Sequence, residues 1–222
     1  MASASSFSLP VVLYLPNLLG YLRIGLAFYG LCLCDQYPVI TILVFLLSAS
    51  LDLLDGPLAR ALQQTSSLGV LVDVAADNLL RTCGWMAAAC HADSSPWVKS
   101  VAVVLISVEW MTMVSTQLHA AIHGQHWKQS RANDPWLVRA LFANNFRNPI
   151  GMLSMYGLFS ANLWTYGSYH PELYNNIPYF GVFRSVAYLG RALSLLVELW
   201  LIQNYLSIVI AKDAEDKKKI DR

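Results

Sequence analysis

The most informative part of the sequence is residues 52–77, DLLDGPLARALQQTSSLGVLVDVAAD. Its acidic residues are Asp52, Asp55, Asp73 and Asp77, and they lie within chain that is otherwise apolar enough for burial in a membrane. A carboxylate at the centre of a membrane helix costs at least about 2.5–3.5 kcal/mol, so it needs a partner. A cation-binding site is therefore our working hypothesis for this stretch.

The composition is that of an integral membrane protein. Of the 222 residues, 56% are hydrophobic and only 13% are charged, whereas about a quarter are charged in an ordinary soluble domain. The formal net charge is +1, and the chain has no basic stripe outside short loops, which argues against a nucleic-acid partner. Apolar runs of about 20 residues are long enough to cross a bilayer.

Polar turns divide the chain into apolar segments, and these predict an all-α integral membrane protein with six transmembrane helices in one bundle. The predicted spans are residues 18–34, 37–62, 68–91, 97–122, 149–166 and 183–210. We expect three regions: an N-terminal tail with a short interfacial helix (1–17), the six-helix catalytic domain (18–211) and a charged tail (212–222). Residues 135–142 are expected to form a further helix along the membrane surface.

Basic residues are concentrated on one predicted side of the membrane. Six crossings place both termini on that side, together with Lys128, Arg131, Arg139, Arg147 and the cluster Lys217–Lys219. Because basic loops favour the cytoplasm, this side is predicted to be cytoplasmic. The aspartates lie near the same face.

Helical spacing predicts that the four carboxylates converge. Asp52 and Asp55 share a face, and Asp73 and Asp77 share one on the next helix. The link between the two helices is short, so the helices should be antiparallel neighbours. Oxygen ligands without His or Cys favour Mg²⁺ or Mn²⁺, and Mg²⁺ is often shared with substrate phosphates. The alternative is that the aspartates cap helices or pair with Arg60 or Arg81.

The full pattern, D-x2-D-G-x2-A-R-x8-G-x3-D-x3-D, resembles the signature of the CDP-alcohol phosphatidyltransferases at every fixed position. The resemblance implies a six-helix membrane fold, often a homodimer, with a site that opens to the cytoplasm. It implies two Mg²⁺ or Mn²⁺ ions as cofactors. It also implies transfer of a phosphatidyl group from CDP-diacylglycerol to a small polar alcohol, with release of CMP.

The resemblance also implies residue roles. Asp52, Asp55 and Asp73 would be metal ligands, and Asp77 would complete the metal site and act as general base. The residues expected to bind the CDP-lipid are Gly56, Ala59, Arg60 and Gly69, of which Gly56 and Ala59 would line the cytidine groove and Arg60 would hold the diphosphate.

Within the family, looser matches such as the segment PNLLGYLR (16–23) resemble the eukaryotic phosphatidylinositol synthases. This branch implies myo-inositol as the acceptor and the endoplasmic reticulum as the location. Lys128 and Arg139 are the candidates for alcohol binding, although either could instead contact lipid phosphate. The chain departs from this branch at Asn78, Glu109, Met113 and Ala143.

Those departures keep other acceptors open, namely glycerol phosphate, serine, or diacylglycerol with CDP-choline or CDP-ethanolamine. An intramembrane prenyltransferase also binds Mg-diphosphate through aspartates, but its motifs lack the Gly-x2-Ala-Arg continuation found here. The remaining alternatives are a non-enzymatic cation carrier and a substrate-binding relative that has lost turnover.

Overall fold

A computed structural model describes residues 10–123 and 134–220, and within these ranges the secondary structure is entirely helical. A 3₁₀ turn, Val11–Leu13, precedes the first helix. The α-helices are α1 (Leu15–Leu33), α2 (Pro38–Ala61), α3 (Ser67–Cys90), α4 (Pro96–His123), α5 (Trp136–Phe142), α6 (Pro149–Gly167), α7 (Pro171–Tyr174) and α8 (Phe180–Ile220). A second 3₁₀ segment, Ala143–Phe146, follows α5.

Three of these helices are long and apolar enough to cross a membrane, namely Pro38–Ala61 in α2, Pro96–Leu118 in α4 and Phe180–Ala214 in α8. The predicted all-α membrane class is thus confirmed. A helix also occupies each of the other three predicted spans, in α1, α3 and α6. That these three cross the membrane stays a prediction.

The two ends of the described chain differ in detail from the prediction. The expected interfacial helix before residue 17 is not confirmed: the structure has a 3₁₀ turn there, and α1 begins at Leu15. Pro16 does not break α1, because proline is tolerated in the first helical turn. At the other end, α8 continues to Ile220, so the predicted boundary at residue 212 falls inside a helix.

The chain divides into two compact units, Met1–Ala87 and Ala88–Arg222. In the first unit, glycines let α1 approach its neighbours closely. A Cβ atom at Gly20 would lie 2.4 Å from Val72 Cγ1, and one at Gly30 would lie 2.6 Å from the Phe45 ring. Small residues of this kind are typical of packed membrane helices.

In the second unit, α6 and α8 cross at close range. A Cβ atom at Gly157 would lie 2.1 Å from the backbone nitrogen of Arg191, and one at Gly190 would lie 2.0 Å from the carbonyl oxygen of Leu153. The helix predicted at 135–142 is present as α5, which buries Val138 and other apolar side chains in a cluster with Val197. Its position at the membrane surface stays a prediction.

Candidate metal centre

The four aspartates converge within the first unit, where α2 carries Asp52 and Asp55 and α3 carries Asp73 and Asp77. One carboxylate oxygen each from Asp52, Asp55 and Asp73 lies within 4.8 Å of the other two. The side chains of Asp52 and Asp73 remain 39% and 44% exposed, so small solutes can reach them. The spacing argument therefore placed the carboxylates correctly, while their roles as ligands stay a prediction.

Sequence reasoning missed Arg23, which contacts all four carboxylates. Its Nη1 donates to Asp55 Oδ2 at 2.7 Å and to Asp73 Oδ1 at 2.9 Å. Its Nη2 lies 2.8 Å from Asp52 Oδ1 and donates to Asp77. The Arg23 side chain is only 1% exposed. The signal was present in the sequence, because an arginine within an apolar span needs an acidic partner.

The charges at this centre do not balance. Four carboxylates face the guanidinium of Arg23, and Arg81 also interacts electrostatically with Asp77, which leaves a formal charge of two minus when all four carboxylates are ionised. Clustered carboxylates repel one another, and burial disfavours their ionised forms unless a cation compensates. An oxygen-only donor set with excess negative charge fits hard divalent ions such as Mg²⁺ and Mn²⁺. The residues present therefore suit the predicted metal site.

A cavity of about 180 Å³ lies beside the carboxylates. Asp55 and Asp73 form part of its wall. The four residues predicted to bind the CDP-lipid line the same cavity: Gly56, Ala59, Arg60 and Gly69. The remaining lining comes from the first part of α1, from the link between α2 and α3, and from Val70 in α3. A cationic side chain, small residues and two carboxylates thus share one cleft.

Two of the lining glycines differ in what surrounds them. A Cβ atom at Gly69 would lie 2.9 Å from Asn17 Oδ1 and 3.2 Å from Ser66 Oγ, so a larger residue there would disturb the packing of α1. A Cβ atom at Gly56 would meet only the end of the Arg60 side chain, at 3.5 Å. The protein could accommodate a methyl group at Gly56, but the group would occupy space beside the cavity.

The candidates for alcohol binding are less well defined. Lys128 lies outside the described residues. Arg139 lies in the last turn of α5, in the second unit, and is exposed. Among the positions that depart from the inositol branch, Asn78 is buried and accepts a hydrogen bond from Arg81. The roles proposed for Lys128 and Arg139 stay predictions.

The second unit contains a buried ion cluster, which we call the Arg191 triad: Glu109, Arg191 and Glu198. Arg191 Nη2 donates to Glu109 Oε1 at 3.0 Å, and Nη1 donates to Glu198 Oε2 at 2.8 Å. The Glu109 side chain is fully buried, and Arg191 and Glu198 are 5% and 11% exposed. The triad joins α4 to α8. The sequence contains a signal for one of the two ion pairs, because Arg191 and Glu198 are seven residues apart on one helix.

Most of the chain matches a known protein family. Residues 13–166 match the CDP-alcohol phosphatidyltransferase family. The chain belongs to this family. The match includes α1, α2 and α3, and therefore Arg23, the four aspartates and every lining residue of the cavity.

Curated relatives point to one branch of the family. The chain is 28% identical over 144 residues to the probable CDP-diacylglycerol–inositol 3-phosphatidyltransferase 2 of Arabidopsis thaliana, covering 65% of this chain and 63% of that protein. The Schizosaccharomyces pombe CDP-diacylglycerol–inositol 3-phosphatidyltransferase is 29% identical over 139 residues, covering 61% and 56%. The human protein of that name is 36% identical over 73 residues, covering 33% and 34%.

The chain spans about three fifths of the length of the first curated relatives that it matches. No solved structure matches the chain.

Proposed function

We propose that this protein transfers the phosphatidyl group of CDP-diacylglycerol to myo-inositol, giving phosphatidylinositol and CMP. The observation that carries the proposal is the convergence of four aspartates around Arg23, beside a cavity lined by Gly56, Ala59 and Arg60. A diphosphate needs cations around it and a nucleoside needs a cleft, and this region offers both. The names of the relatives support inositol as the acceptor.

The chemistry follows from the residues around the cleft. Asp52, Asp55, Asp73 and Asp77 would hold two Mg²⁺ or Mn²⁺ ions, which would supply positive charge to offset that of the diphosphate and of departing CMP. Arg60 binds the diphosphate, and Gly56 and Ala59 leave room for the cytidine. Asp77 accepts the proton of the alcohol hydroxyl, whose oxygen attacks the lipid-side phosphorus as the bond from that phosphorus to CMP breaks.

The identity of the acceptor alcohol is a separate part of the proposal. Lys128 and Arg139 would orient the polyol, which needs several fixed donors. The residues at Asn78, Glu109, Met113 and Ala143 differ from the inositol branch, so glycerol phosphate, serine, or diacylglycerol with CDP-choline or CDP-ethanolamine are the competing substrates. In the proposed setting, six helices cross the endoplasmic reticulum membrane, the site faces the cytoplasm, and the protein is a homodimer.

The test is an assay of the full chain, purified and returned to liposomes with CDP-diacylglycerol, Mg²⁺ or Mn²⁺, and a panel of alcohols. We expect CMP release that depends on inositol. Asp77→Asn should reduce this release by roughly 10²–10⁴-fold, the usual contribution of a general base. The matched control is Asp35→Asn, at an exposed residue in the turn after α1, which should retain activity.

Each other outcome would support a different function for the protein or a different role for Asp77. Release that requires another alcohol replaces inositol but keeps the family chemistry. Unchanged turnover in Asp77→Asn rejects that residue as the base. If no alcohol supports CMP release and the liposomes instead take up Mg²⁺, the protein is a cation carrier.

A further inference from the structure

We propose that Arg23 is a resident counter-ion that competes with divalent cations for the four aspartates and so weakens metal binding. This inference rests on the proposed function only in treating the aspartates as a metal centre. Its starting point is the pattern of contacts: each Nη atom of the guanidinium contacts one aspartate from α2 and one from α3. One positive group thus bridges both helices that carry the site.

The surroundings of Arg23 keep its charge in place. Its side chain is almost fully buried, and Ser48 Oγ donates to its backbone carbonyl oxygen at 3.0 Å, which fixes α1 against α2. The Nε atom is buried without a hydrogen-bond partner in the described chain. The guanidinium therefore makes its polar contacts through the two Nη atoms that face the carboxylates. Moving it away from them would leave a buried charge unpaired, which is costly.

Two consequences follow for the metal. Before any ion binds, Arg23 offsets part of the repulsion between the carboxylates and holds them together. When a divalent ion binds, it shares the oxygens with a positive group that cannot withdraw to solvent, and like charges at such distances repel. Arg23 should therefore stabilise the metal-free protein and lower its affinity for the ion.

The experiment is titration of the full chain in detergent with Mn²⁺ alone, followed by isothermal calorimetry, for the wild type, Arg23→Gln and Arg184→Gln. Arg23→Gln should bind Mn²⁺ at least about tenfold more tightly, because it removes a neighbouring positive charge. Arg184→Gln removes the same charge from a half-buried position on α8, and its affinity should stay within about twofold of the wild type.

Thermal unfolding adds a readout that separates competition from simple damage. Without metal, Arg23→Gln should unfold at a lower temperature than the wild type, and saturating Mn²⁺ should raise its unfolding temperature by more than it raises that of the wild type. A folded Arg23→Gln protein that binds Mn²⁺ equally or more weakly would overturn the inference.

A second variant covers the case in which Arg23→Gln does not fold. Arg23→Lys keeps the charge, but its single ammonium group cannot contact four carboxylates in the fork geometry of arginine. It should bind Mn²⁺ more tightly than the wild type by a smaller factor, and equal or weaker binding again rejects competition. The titrations measure Mn²⁺ binding without any lipid donor. Their result therefore does not depend on whether the transferase assay detects CMP release.

Discussion

Two arginines buried among the helices, Arg23 and Arg191, hold acidic side chains in contrasting ways. Arg23 faces four carboxylates, two of which are more than a third exposed, next to a cavity. The Arg191 triad has two carboxylates on one guanidinium and is almost closed to solvent. An excess of acid with access to solutes suits a ligand site, whereas a closed cluster in which both Nη atoms pair suits helix packing. The surroundings of a buried charge, more than the charge itself, indicate its use.

The glycines near the two clusters show the same contrast. Gly56 lies near Arg23 and the four aspartates. A Cβ atom added there would enter open space, apart from the end of the Arg60 side chain. Gly157, beside the Arg191 triad, lies directly against the backbone of α8. The first glycine therefore provides room for a ligand, and the second provides room for a neighbouring helix.

The largest effect is expected from Asp52→Asn, measured by CMP release and by thermal unfolding without metal. Loss of one ligand should reduce turnover by about 10³-fold, or about 4 kcal/mol. The unfolding temperature of the metal-free protein should not fall, because the change removes one of four mutually repelling charges. A large drop in stability would show that the aspartate cluster is structural, like the triad.

The next largest effect is expected from Glu109→Gln, which leaves Arg191 with one of its two acidic partners in the triad. Breaking a buried ion pair costs about 3 kcal/mol, so the unfolding temperature should drop clearly. Mn²⁺ affinity should stay as in the wild type.

The double variant Glu109→Gln, Arg191→Met tests the same pairing. It should be less destabilised than the sum of its single changes, because each single variant already loses the Glu109–Arg191 ion pair and the sum counts that loss twice. A strictly additive result, or a Glu109→Gln protein of normal stability, would contradict a structural role for the triad.

A smaller loss of stability is expected from Gly157→Ala. The added methyl group would lie 2.1 Å from the backbone nitrogen of Arg191, so α6 and α8 must move apart. Overpacking of this kind costs roughly 1–3 kcal/mol. Gly25→Ala is the matched control, since nothing lies within 4 Å of its new Cβ atom. Equal unfolding temperatures for the two variants would show that the crossing is looser than described.

The sequence predicted the parts of the site that depend on local spacing. Asp52 and Asp55 lie three apart on one helix and Asp73 and Asp77 four apart on the next, so helical periodicity and a short link suffice to bring them together. The resemblance to the family signature assigned Gly56 and Ala59 to a groove, and both residues line the cavity. The helices themselves followed from apolar segments bounded by polar turns.

The parts that were missed depend on residues far apart in the chain. Arg23 meets carboxylates 29 to 54 positions away, and Arg191 meets Glu109 across 82 positions. Periodicity within one helix carries no information about which neighbour a side chain will face. The cost of a buried charge indicates that a partner exists, but only the packing of the helices identifies it.

The smallest effect, expected from Gly56→Ala, sharpens the contrast between the two glycines. Alanine is favoured over glycine in a helix by about 0.5–1 kcal/mol, and its methyl group would make only an ordinary contact with Arg60, so the unfolding temperature should hold or rise. If the cleft admits the nucleotide of the lipid donor, the methyl group should raise KM for CDP-diacylglycerol by about tenfold with little change in kcat. An unchanged KM in a stable protein would place the donor elsewhere, because the free space at Gly56 would then serve neither packing nor binding.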